Sequence, residues 1–362
     1  MSASITPQRF TEDQVRQQIL EILTAWGMTA EAAAISAEVM VDTDLSGIDS
    51  HGISMLMLYE KLARTGRLNI NARPEIVHEG PAFAIVDGHD GLGHPTAVTA
   101  MHTAIDKARR EGVSVVAARS SSHFGALGYY ARLASDQGLV ALITTTTRTP
   151  TTSATNGTTA VLGTNPICFS APRADGAPLV VDISTSVVAL NKVKTYALKG
   201  WPLPVGWVTD STGADLVDAK VAYELLSTGR ATISPLGGPG TESGGHKGFG
   251  LSLMVQILSA ALAGASGVGL GADADNLGHF FLVIDPERLR PDGTMSSAVE
   301  EILSATSAEA GVRVPGEPEA DERAARTAHG IPLPATLLEL LEEICTRAEA
   351  PFLLAPTVAA VH

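Results

Sequence analysis

Apolar residues recur at helical spacing through the N-terminal part of the chain, then fall into short unbroken runs separated by helical stretches. Val15, Ile19, Ile22 and Leu23 share one face behind a Thr11/Gln14 capping box, and Gly27 ends that helix. A second, alanine-rich helix is predicted from Ala30 to Leu45, and a third from near Ile53, with Leu56, Tyr59 and Leu62 on one face. Strands are predicted at Phe83–Asp87, Val115–Arg119, Leu139–Thr144, Leu179–Asp182 and His279–Asp285, and helices at Thr96–Glu111, Tyr129–Gln137 and Thr336–Ala348. The threonine-rich stretch from Thr144 to Thr159 reads as strand edge and loop. Leu251 to Ala265, interrupted by Ser252, Gln256 and Ser259, reads as a buried helix shorter than the ~18 residues of a membrane span. No internal repeat is visible, and the intermixing of strands and helices predicts an α/β or α+β chain.

Length and charge narrow the picture. A chain of 362 residues is too long for one small core, so two domains, or one large domain with lobes, are expected. A net charge of −14 repels nucleic acid and anionic membranes at long range, so neither is an expected partner. An anionic small-molecule substrate then needs a local positive site. Cys168 and Cys345 lie far apart without metal-ligand spacing, which fits a reduced compartment. Met1 to Pro7 lacks the basic-then-apolar pattern of a signal peptide, and a cytoplasmic protein is expected.

The chemistry concentrates in Asp49-Ser50-His51-Gly52 and Ser122-His123-Phe124-Gly125. Each places a histidine where a regular element gives way to small residues, a setting for titration near neutral pH. Such a histidine needs an orienting partner, and Asp182, ending an apolar strand, offers a carboxylate; capping a following helix is its alternative role. Arg148 lies among hydroxyls that can help it hold a carboxylate. The dinucleotide fingerprint fails: Gly91-Leu-Gly93-His94-Pro95-Thr96 lacks the third glycine. Walker A fails at His246-Lys247, yet the loop Gly244 to Gly250, opening a helix with Lys247 in it, has the physics of an anion site. His89 and His94 have no third ligand, so a solvated turn, not a metal site, is expected there.

Taken in order, several stretches resemble the type 2 malate/L-lactate dehydrogenase family. They are Gly47-Ile-Asp-Ser-His-Gly52, Ser122-His-Phe-Gly125 with Gly128-Tyr-Tyr130, Leu162-Gly-Thr-Asn-Pro-Ile167 and Val181-Asp-Ile-Ser-Thr-Ser186. Gly206-Trp207, Pro235-Leu-Gly-Gly238, His246-Lys-Gly248, Gly278-His-Phe-Phe281, Pro315-Gly-Glu-Pro-Glu319 and Gly330-Ile-Pro-Leu333 continue the series over nearly the whole chain. The resemblance implies an NAD- or NADP-dependent oxidoreductase acting on a 2-hydroxy or 2-oxo acid. Reduction of a cyclic imine carboxylate, or nucleotide binding without catalysis, are its alternatives.

The implied fold is α+β (mixed α/β). It has a non-Rossmann nicotinamide-binding domain on a mostly antiparallel sheet (121–299) and a discontinuous substrate and dimerisation domain (1–120 and 300–362). A homodimer is implied. Ser50, His51 and Asp182 would form the proton relay, with His123 sharing the acid/base role. His123, Phe124, Gly125, Ala126 and Leu127 would touch the cofactor, as would Val181, Asp182, Ile183, Ser184, His246, Lys247, Gly248, Gly316, Glu317 and Pro318. Tyr59, Met55, Arg148 and Asn165 would face the substrate. Met55 stands where the family usually has an arginine, so the grip on a carboxylate would pass to Arg148 or the substrate would be less acidic or bulkier. Pro239 to Gly244 is an apparent insertion that could reshape the mouth of the pocket.

Overall fold

A seven-stranded sheet organises the computed structural model, which describes residues 7–266 and 276–355; the first six residues, part of the segment read for a signal peptide, lie outside them. In spatial order the strands are Glu75–Gly80, Phe83–Asp87, Val113–Ser121, Leu277–Ile284, Val140–Thr145, Ile167–Ala171 and Leu179–Ile183. Only Phe83–Asp87 and Val113–Ser121 pair in parallel, joined by the crossover helix Gly93–Glu111; the other pairings are antiparallel. Leu277–Ile284 is the middle strand, with neighbours on both sides, which explains its nearly unbroken apolar run. Helices Gly93–Glu111 and Leu127–Ser135 cover one face, where Ala97, Ala100, Ala104 and Ala108 let the backbone come close to Val116, Ile143 and Phe281.

A second core joins the two ends of the chain. Helices Glu12–Ala25, Ala30–Leu45 and Leu56–Arg64 pack with Ala335–Ala348, and Gln8–Phe10 pairs with Ile331–Leu333. A third core lies under helices Leu190–Lys199 and Ala219–Ser227, against strands that include Val208–Asp210 and Ala231–Ile233. The helix Ala30–Leu45 belongs to two cores at once, with Ala33, Ala37 and Met40 in one and Val39 in the other. It is therefore apolar nearly all round, and its C-terminal end emerges where the cores meet.

The fold is mixed α/β, as expected, and the capping box, the helix Ala30–Leu45 and the strand Phe83–Asp87 form as read. Two readings change. The helix placed at Thr96 begins at Gly93, because Pro95 sits in the first turn, where the absent N–H has no helical partner to lose. The apolar run from Leu251 is buried on one side only: Ser252, Val255, Ser259 and Ala260 are buried, while Leu253, Met254, Ile257 and Leu262 are exposed. Among the described residues no helix is long and apolar enough to cross a membrane.

Candidate active site

The helix Ala30–Leu45 ends at Ser46, and Gly47, at φ 78°, turns the chain back toward it. The returning segment carries Ser50, His51 and Gly52. Asp44, fully buried in the last turn of the helix, accepts the Ile53 N–H at 2.8 Å and so pins this segment. A Cβ at Gly52 would lie 1.8 Å from Asp44 Oδ1, so only glycine permits the approach. Burial, with Asp49 nearby, pushes the Asp44 carboxyl up to about 8 against the opposing pull of the Ile53 amide and Arg326. Arg326, from the helix Glu317–His329, ties the outside of the loop: it donates to Asp44 O at 2.8 Å and pairs with Asp49 and Glu322. On the inner side Ser50 Oγ lies 2.7 Å from His51 Nδ1, and burial pulls the His51 imidazole below its ordinary value.

The second histidine leaves the end of strand Val113–Ser121. His123 reaches His51, with ring centroids 5.3 Å apart, and its Nδ1 lies 2.8 Å from Tyr59 Oη. Tyr59 is fully buried, so its hydroxyl meets His123 and His94 inside the protein and does not face the cleft. Burial holds His123 well below its usual range, and its electrostatic interactions with His51, His94, Arg148 and His279 lower it further.

Both histidines open into a cleft of about 1080 Å³, at the upper end of the ~300–1,000 Å³ usual for small-molecule sites. The ring of His123, the loop Phe124 to Leu127 and the strand end Val181 to Ser184 line it, as do Gly316, Pro318 and Arg148. Gly125 and Gly316 hold positive φ on its walls, and a Cβ at Gly316 would press within 3.1 Å of the Val180 amide. Thr147 Oγ1, on the lining, is buried with no hydrogen-bond partner. A cleft of this volume with glycine walls, a buried hydroxyl still to be satisfied and an arginine fits a polar cofactor carrying anionic groups.

Asp182 is on the cleft lining, while other expected residues stand elsewhere. Asp182 accepts the Gly128 N–H at 2.8 Å, so its carboxylate secures the start of helix Leu127–Ser135. It caps a helix, but not the one following it in sequence; burial pushes it up to about 6, and the Gly128 and Leu127 amides oppose the rise. Asn165 is fully buried and donates to Ser252 O at 3.1 Å and Gln256 Oε1 at 3.0 Å, which fastens its loop to helix Gly245–Gln256. His246 and Lys247 are exposed on that helix's first turn, outside the cleft lining, and Gly248 is packed against the Leu236 backbone. Glu317 turns to Arg173 and the Val314 N–H. Met55 lies in a short 3₁₀ turn against the helical core, and Leu58 is the residue of that segment on the cleft wall. His89 is exposed beside Glu75 and Asp87, as a solvated turn requires, but His94 is fully buried.

Asp44, His94 and the cluster of Asp42 with Arg132 and Arg323 on the cleft wall were not read from the sequence as site residues. Pro95 was the available signal for His94, because it moves the helix start back and draws His94 inside. Asp42 and Asp44 in the last turn of a helix rich in apolar residues were the signal for the others, since a buried carboxyl needs a partner.

The family model described as malate/L-lactate dehydrogenase matches residues 10–342. The chain is 36% identical to a malate dehydrogenase of Pyrococcus abyssi over 94% of each chain. It is 34% identical to an L-sulfolactate dehydrogenase of Methanocaldococcus jannaschii, covering 91% of this chain and 94% of that one. The crystal structure of malate dehydrogenase from Entamoeba histolytica superimposes with a TM-score of 0.90 at 28% identity, covering 95% of this chain and 99% of that one.

Proposed function

The chain belongs to the malate/L-lactate dehydrogenase family and is an oxidoreductase, and from that premise we propose that it interconverts a 2-hydroxy acid and the 2-oxo acid with NAD or NADP. The observation that carries the proposal is the meeting of His51 and His123, 5.3 Å between ring centroids, beside Arg148 in one cleft. A bound nicotinamide supplies the hydride chemistry. The neutral His51 accepts the hydroxyl proton when the alcohol is oxidised and returns it in the reverse direction; Ser50 steadies its Nδ1. Arg148 supplies the positive charge for the substrate carboxylate that Met55 cannot. Asp182 acts by holding the helix that carries one wall of the cleft, through the Gly128 amide.

We further propose that two copies assemble through the exposed apolar face at Leu253, Met254 and Ile257, which would otherwise face water.

Nicotinamide absorbance with a panel of 2-oxo acids and cyclic imine carboxylates, tried with NADH and NADPH, tests the reaction. Decay with a 2-oxo acid is expected; turnover confined to cyclic imines would replace the substrate class. His51→Ala should lose about 10²–10⁴-fold in kcat while cofactor affinity holds. Unchanged turnover would remove His51 from the chemistry.

A further inference from the structure

We propose that His94 and Tyr59 form a directed hydrogen-bond chain that sets the tautomer of His123, so that this histidine presents an Nε2–H donor to the cleft; the inference rests on the reading of that cleft as the site of the reaction. One donor in the chain has no ambiguity. The backbone N–H of Gly125 donates to His123 Nδ1 at 3.4 Å. An amide N–H only donates, so Nδ1 is the bare, accepting ring nitrogen. Tyr59 Oη lies 2.8 Å from the same Nδ1, so the phenolic hydrogen is directed there as well.

A phenol has a single hydrogen. The other contact of this oxygen, 3.4 Å to His94 Nε2, must then be accepted by the phenol, which puts the hydrogen of His94 on Nε2. His94 Nδ1 is left as a lone pair, and it is a buried ring atom without a hydrogen-bond partner. An orphaned acceptor is tolerated there better than an orphaned N–H would be. All donors therefore point one way, from His94 through Tyr59 to His123.

The two members behind His123 are closed to solvent: His94 and Tyr59 are both fully inaccessible. Burial pushes His94 down to about 3 and keeps its ring neutral, as the assignment requires. The charged and titratable groups facing His123 are His51, His94, Arg148 and His279, and each disfavours a second proton on its ring. A neutral, non-rotating imidazole with its hydrogen on Nε2 is a fixed donor, suited to a carbonyl or carboxylate oxygen placed in the cleft before any reorganisation. Tyr59 and His94 are thus positioning residues; neither touches the reacting atoms.

The first readout is independent of turnover. The full-length protein labelled with ¹⁵N-histidine should show His123 and His94 as neutral Nε2–H tautomers at neutral pH. Tyr59→Phe leaves Nδ1 with only the Gly125 contact, which at 3.4 Å is too long to hold the tautomer by itself, and should let His123 populate the Nδ1–H form. A native His123 protonated on Nδ1, or a tautomer untouched by Tyr59→Phe, overturns the chain.

The second readout is kinetic. His94→Leu should lower kcat/KM by about 10–100-fold, the scale for removing a group that orients a histidine. His94→Gln, which keeps an N–H donor, should recover most of it. Equal losses in the two variants would reduce His94 to packing and overturn the proposal. Absence of turnover in the unmodified protein across the whole panel would sink the proposed reaction instead, while the spectra still decide the tautomers.

Discussion

Asp44→Asn separates the charge of this buried carboxyl from its hydrogen bond. Asp44 is fully buried and held at about 8, against an ordinary value of 3.8, chiefly by desolvation. Between those values the folded chain retains a proton that the unfolded chain has released. Linkage then makes stability fall as pH rises through the window, until the folded carboxyl ionises too. From about pH 7 to about pH 9 the folded group passes from mostly protonated to mostly ionised, an integrated loss of about 1.4 kcal/mol. Asparagine cannot titrate, yet its amide oxygen can still accept the Ile53 N–H and hold the His51 segment.

The assay is urea unfolding of both chains at one fixed protein concentration, followed by the fluorescence of Trp26, Trp201 and Trp207. The stability difference should move in favour of the variant by about 1.4 kcal/mol over that pH range, while contributions common to both chains cancel. Two parallel pH curves would refute the reasoning, because they would mean that Asp44 is already ionised in the folded protein at neutral pH.

Other substitutions probe the remaining contacts. Gly52→Ala must displace Asp44 from its 1.8 Å approach and should destabilise by about 1–3 kcal/mol in a thermal melt, with loss of activity alongside. Asn165→Ala leaves Ser252 O and Gln256 Oε1 without their donor and should cost about 1–3 kcal/mol, measured the same way; an unchanged melt would return Asn165 to the substrate list. His94 stays neutral in the fold down to about pH 3, whereas the unfolded chain takes up the proton below its ordinary 6.5, so native stability is lost as pH falls through that interval. His94→Gln should therefore shift the acid-unfolding midpoint to lower pH. Ile257→Asp should convert a dimer to monomers in sedimentation, and a protein already monomeric at working concentration would dismiss the proposed assembly face.

Local signals were sufficient for much of the architecture. The capping box at Thr11, the helix Ala30–Leu45 and the strand Phe83–Asp87 follow from spacing and end residues, because those interactions close within a few positions. The same holds for the two histidines: small residues after regular elements marked His51 and His123, and the fold brings both to one cleft. The ordered motifs also pointed to the family that the whole-chain match bears out.

What the sequence could not carry was the choice of partner. Asp182 looked like a mate for a histidine, yet packing of helix Leu127–Ser135 on the sheet puts the Gly128 amide against it first. Asn165, in a motif that suggested substrate, is drawn instead to the helix at Ser252 and Gln256. The apolar run at Leu251 has the composition of a core all round yet buries only one side in a single copy, because periodicity records hydrophobicity and not what covers it. Tyr59, His94 and His123 are far apart in the chain and meet only when the helical core, the crossover helix and the sheet close together. A hydrogen bond is decided over about 3 Å, a distance that only tertiary packing sets between segments so far apart along the backbone.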